Sequence, residues 1–134
     1  MQKRQRARKI PLSGDRLIDW EFRRIVYVLD NIVAFIRKKK VLRDPDDRRK
    51  KLLGFLASGH RIIYLSPHKH ECPLAKTLIH EALHILYPPR VSPVPHRCIF
   101  QKEDILWLRF TESQKRFLRS YIPKHEVKTD PPKE

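Results

Sequence analysis

The segment LAKTLIHEALHIL, residues 74–86, is bounded by Pro73 on one side and by Tyr87-Pro88-Pro89 on the other. Pro73 suits the first position of a helix because it has no amide hydrogen to leave unpaired, whereas consecutive prolines cannot continue one. The spacing predicts a helix from Pro73 to about Leu86. Leu74, Leu78, Ile79, Ala82, Leu83, Ile85 and Leu86 surround its two histidines, so the helix should be largely buried and covered by other elements. The rest of the chain is thus constrained to wrap it. Burial also carries His80 and His84 inward, where imidazole nitrogens need partners.

A chain of 134 residues supports one compact domain with one core. From Asp15 to about Lys39, the residues Ile18, Phe22, Ile25, Leu29, Ile32 and Ile36 recur at steps of four and three. This predicts one long amphipathic helix, with a pair of strands as the alternative because β-branched residues are frequent. The cluster Asp44-Pro45-Asp46-Asp47 breaks that segment. LLGFLASGHRIIYL then holds two short apolar stretches around Ser58-Gly59-His60, which predicts a β-hairpin over about residues 51–65. Beyond the prolines a helical region begins near Gln101, and Thr111-Glu112-Ser113-Gln114 has the form of a capping box, so helices are expected at about 101–109 and 112–121. The expected fold class is α+β, with a long N-terminal helix, a small antiparallel sheet, the buried helix and C-terminal helices. Residues 11–122 should form the domain, between a basic flexible tail at 1–10 and a proline-broken polar tail at 123–134.

The balance of 40% hydrophobic and 34% charged residues fits a folded domain and excludes a disordered chain. No apolar run approaches the roughly 20 residues that cross a bilayer, so a soluble cytoplasmic monomer without a membrane partner is expected. Cys72 and Cys98 are too few for a disulfide scaffold, which points to a reducing compartment. A formal net charge of +15 should attract nucleic acid, anionic surfaces or acidic proteins, unless it serves only solubility.

The chemistry lies in His80-Glu81-Ala82-Leu83-His84, an H-E-x-x-H pattern that shuffling would produce in roughly 2% of such chains. Helical residues four apart lie on one face about 5–6 Å apart at Cβ, so both imidazoles can reach one ion. Glu81, one step round, is placed to contact a water on that ion and to take its proton as the water attacks a carbonyl. The alternative is a pair of core histidines bonded to backbone or carboxylate. A catalytic zinc needs a third protein ligand. Glu103 is the candidate, because Glu103, Leu106, Trp107 and Phe110 share a helical face that should turn inward. Asp104, on an adjacent face, could orient a ligand histidine instead. His96 competes as third ligand, and Glu112 is a poorer choice. His70-Glu71-Cys72 and His96-Arg97-Cys98 form two H-x-C pairs that could hold a second metal, or Cys72 and Cys98 could pair. Tyr87, His60 and His96 are the candidates for oxyanion stabilisation.

The passage from the hairpin through the His80–His84 helix to Glu103 resembles the minigluzincins, small single-domain members of the gluzincin metallopeptidases. The resemblance covers about residues 51–121 and implies a zincin-like domain holding one Zn²⁺ per chain. It implies cleavage of peptide bonds in a peptide or protein substrate that pairs with a strand of the hairpin at the upper rim of the cleft, and latency when a chain terminus fills that cleft. The proline-rich segment after His84 departs from the family pattern, and the downstream motif of the large gluzincins is not recognisable around Glu103. A weaker resemblance is to SprT-like DNA-associated proteases, whose third ligand is a histidine and whose zinc ribbon is missing from these residues. A reading of another class is a basic nucleic-acid-associated module in which the helix is structural or holds a non-catalytic metal.

Overall fold

The computed structural model describes residues 9–57, 59, 61–67, 73–88 and 96–131, the side chain of His96 excepted. Four helices and five strands are present among these, in an α+β arrangement. α1 spans Arg16–Asn31. Asp15 caps its start, accepting from the amides of Leu17 and Ile18, which satisfies donors that no helical carbonyl reaches. The helix buries Ile18, Phe22, Ile25, Val26, Val28 and Leu29, the face predicted by the four-and-three spacing. It ends earlier than expected. Past Ile32 the chain becomes β1, Phe35–Lys38, because Phe35-Ile36 meets the apolar edge of another strand and pairs with it in parallel.

β2, Leu42–Asp44, and β3, Asp47–Leu52, form a separate antiparallel ribbon. Periodicity gave no hint of it, since Asp47-Arg48-Arg49-Lys50-Lys51 contains no apolar residue to alternate. β4, Gly54–Ala57, and β5, Ile62–Leu65, pair antiparallel and are the predicted hairpin. The sheet order is β1-β5-β4. It is mixed rather than wholly antiparallel, because β1 joins β5 from outside the hairpin. β5 is buried on both faces, and that explains its unbroken apolar run. Ile63 and Leu65 face the helices, whereas Ile62 and Tyr64 face a second cluster with Leu42, Ala57, Leu52, Phe55 and Val127. The molecule therefore has three layers: helices, sheet and ribbon.

α2, Leu74–Leu86, lies at the centre, with Pro73 as its N-cap. It touches α1, β4 and β5 together with α3, His96–Arg109, and α4, Glu112–Arg119. Leu78, Ile79, Ala82 and Leu83 are fully buried, as the apolar side of a central helix requires. α3 starts five residues before the expected boundary at 101. The capping box between Thr111 and Gln114 is present in both directions. After α4, a segment read from composition as a tail is tied to β1 and β3: the Val127 amide donates to the Lys38 carbonyl, and Asp130 pairs with Lys39 and Arg48. No helix among the described residues is long and apolar enough to cross a membrane.

Candidate metal centre

α2 presents His80 and His84 on one face toward α3. Their Nε2 atoms lie 3.1 Å apart, with ring centroids 4.7 Å apart and planes at 74°. Two nitrogens bound tetrahedrally to one zinc at about 2.0–2.1 Å would be about 3.4 Å apart, so the pair is close to the spacing that an ion requires. On the opposite side of the His80 ring, Nδ1 is 2.6 Å from Glu103 Oε1. A carboxylate only accepts, so Nδ1 carries the hydrogen; in a neutral ring Nε2 is then an acceptor, and the His84 Nε2–H donates to it at 3.1 Å, a hydrogen that a metal ion would replace. Lys76, one turn before His80, holds the other carboxylate oxygen of Glu103 at 3.5 Å and Asp104 at 2.6 Å. Phe100 from α3 lies against His80 with ring centroids 4.5 Å apart.

Glu81 is buried on the side of α2 that faces β4. Desolvation raises its carboxyl from 4.5 to about 7, with His80 opposing and Glu103 adding to the shift. A group poised there can both take and return a proton near neutrality. Gly54 makes room for it: a Cβ at that position would fall 2.7 Å from Thr77 Cγ2 and 2.8 Å from Glu81 Oε2. The backbone of β4 thus runs directly against the carboxylate, an approach that any side chain would block.

The expected site residues are brought together in part. His80 and His84 share one face of α2, and Glu81 lies one step round against β4. Glu103 does turn inward, but its carboxylate meets the outer nitrogen of His80 and not the side where the two Nε2 atoms meet. Asp104, considered as the orienting residue, is exposed and bonds Lys76, so the orienting contact belongs to Glu103. Glu112 is exposed at the start of α4. The Tyr87 hydroxyl accepts from Arg24 at 2.9 Å. Cys98 is a free thiol, while His60, His70, Cys72 and the side chain of His96 lie outside the described residues. Among the described residues no group of three His, Cys, Asp or Glu side chains is arranged to hold a metal ion. The two imidazoles, one of them fixed by a carboxylate, supply two of the three protein ligands that a catalytic zinc takes.

Lys76, Phe100 and Gly54 escaped the reading of the sequence. Lys76 was findable, since it lies four residues before His80 and so shares its helical face. Gly54 was findable only as a glycine inside a predicted strand, a sign of close backbone approach. Comparison with protein-family models, curated proteins and solved structures gives no match for the chain.

Proposed function

We propose that this chain is a zinc-dependent metallopeptidase, in which His80 and His84 hold one zinc ion and Glu81 is the general base and acid. The observation that carries the reading is the meeting of two Nε2 atoms at 3.1 Å on α2, the same helix that buries Glu81 one step round. When bound, zinc would polarise the substrate carbonyl and lower the pKa of coordinated water toward about 7. Glu81, one step round α2, takes the proton from the attacking water and returns it to the leaving amine. Burial keeps bulk water from competing for that proton.

Glu103 serves as a positioning residue, because its Oε1 engages Nδ1 and so aims the Nε2 lone pair of His80; the third protein ligand that a catalytic zinc needs then falls to His96, whose side chain lies outside the described residues. Lys76 holds Glu103 in place. β4 pairs with β5 along one edge, and its other edge suits an extended peptide, whose main chain would lie beside Gly54 and Glu81.

Metal analysis of the purified protein, followed by cleavage of a mixed peptide library with and without chelator, tests the reading. The variant Glu81→Gln should keep its zinc and lose turnover by about 10²–10⁴-fold. Full activity in that variant would remove Glu81 as the base, and protein purified or reconstituted without any bound zinc would remove the metal.

A further inference from the structure

The positive charge of this chain is not spread evenly. Between residues 37 and 52 there are nine Lys and Arg against three Asp, so a short stretch around the β2–β3 ribbon holds a large share of the net +15. The acids sit at or beside the turn, where Asp44 accepts from the Asp46 amide and Asp47 lies 3.4 Å from Arg49. The cations line the strands.

The two faces of the ribbon differ. Leu42 and Leu52, directly opposite each other, pack into the cluster with Ala57, Ile62 and Tyr64. The next pair along, Arg43 and Lys51, are also directly opposite and point to the other face. Arg49, two residues from Lys51 on β3, shares that outer face and is almost fully exposed. Like charges placed opposite each other destabilise a β-ladder, and neither Lys50 nor Lys51 has an acidic partner among the described residues. Arg43 donates to the Arg48 carbonyl and Arg49 lies near Asp47, but these contacts leave the opposed charges of Arg43 and Lys51 unrelieved. A row of phosphates would relieve the repulsion, with cations two residues apart spaced about 6.8 Å along the strand.

We infer that the outer face of the β2–β3 ribbon, with Arg43, Arg49 and Lys51, binds the phosphate backbone of nucleic acid. A lipid surface is a poorer fit, because that face carries no apolar side chain to enter it; the exposed Leu17, Trp20 and Leu108 lie on α1 and α3. The inference is independent of the zinc reading, since it uses none of the residues around His80.

The test is binding of the full chain to a fluorescein-labelled DNA duplex, followed by anisotropy over a series of salt concentrations. One variant combines R43Q, R49Q and K51Q. A control removes the same charge from exposed helical positions with R23Q, R116Q and R119Q. Each phosphate contact contributes about 0.9 to the slope of log affinity against log salt, so the ribbon variant should lose about 2–3 of that slope and at least about tenfold in affinity. The control should stay within about threefold of the parent. Equal losses in the two variants would show that only net charge matters and would overturn the assignment. Competition by polyglutamate as effective as that by unlabelled DNA would overturn nucleic acid as the partner. Thermal melting checks that each variant is folded. If the triple variant does not fold, Lys51→Gln alone should lower the slope by about 1, and an unchanged slope would overturn the proposal.

Discussion

At the scale of single residues, the missing side chain of Gly54 and the carboxylate of Glu103 each bear on the candidate centre. Gly54 has no Cβ where one would stand 2.8 Å from Glu81 Oε2. In Gly54→Ala the flexible carboxylate must shift away, because the Thr77 methyl on the other side is buried and cannot yield far. Misplacing a reacting group by about 1 Å costs on the order of 10²-fold in rate, so peptide cleavage should fall by that order while zinc content stays at the parent level. Loss of zinc in this variant would mean that Gly54 supports the histidines rather than Glu81. Glu103 touches the proposed centre only through His80 Nδ1. Removing a carboxylate that orients a ligand histidine typically lowers metal affinity by about 10–100-fold, so Glu103→Ala should still bind one zinc per chain when titrated to saturation. Failure to bind zinc at any concentration would return Glu103 to the role of ligand.

Among the elements, α1 and α4 are joined through buried polar groups that have no part in the candidate chemistry. The Asp19 carboxylate accepts from the Ser13 amide and hydroxyl, from the Gly14 amide, and from Gln114 Nε2 of α4 at 2.9 Å. Burial pushes its carboxyl up, but these donors outweigh burial and hold it below its ordinary 3.8. A carboxyl lowered by folding contributes stability above its unfolded value, and that contribution is lost as pH falls through the folded one. Asp19→Asn should therefore melt several degrees below the parent at neutral pH, and the two melting curves should draw together once the pH drops below 3.8. A difference that stayed constant from neutral to acid pH would show that the charge of Asp19 contributes nothing. Gln114 is as firmly placed: its Nε2 also donates to the Pro11 carbonyl, while its Oε1 accepts from the Thr111 amide. The capping box was legible because it is written within four residues. The link from Gln114 to Asp19 spans 95 positions, and no local pattern announces it.

Over the whole molecule, helices cover one face of the sheet and a charged ribbon covers the other. The layering separates the two proposed activities. His80, Glu81, His84 and Glu103 lie between α2, α3 and β4, while Arg43, Arg49 and Lys51 lie on the outside of the ribbon, beyond the cluster around Tyr64. β5 is the partition between them, contributing alternate residues to each side. The C-terminal segment reinforces the second layer, since Val127 packs into that cluster and Asp130 pairs with Lys39 and Arg48.

The amino-acid sequence alone determined what depends on neighbours a few residues apart. It set the central helix between prolines, the four-residue step that puts His80 and His84 on one face, the β4–β5 hairpin and the cap of α4. Each follows from steric rules and periodicity acting within a turn or two. The tertiary structure decided what depends on contacts between distant segments. It stopped α1 in favour of β1, because a parallel partner was waiting in β5, and it folded a stretch without apolar alternation into a ribbon. It also chose which nitrogen of His80 meets Glu103. Periodicity states which side of an element is buried, but the partner on that side, and the atom it reaches, are fixed only when the layers close.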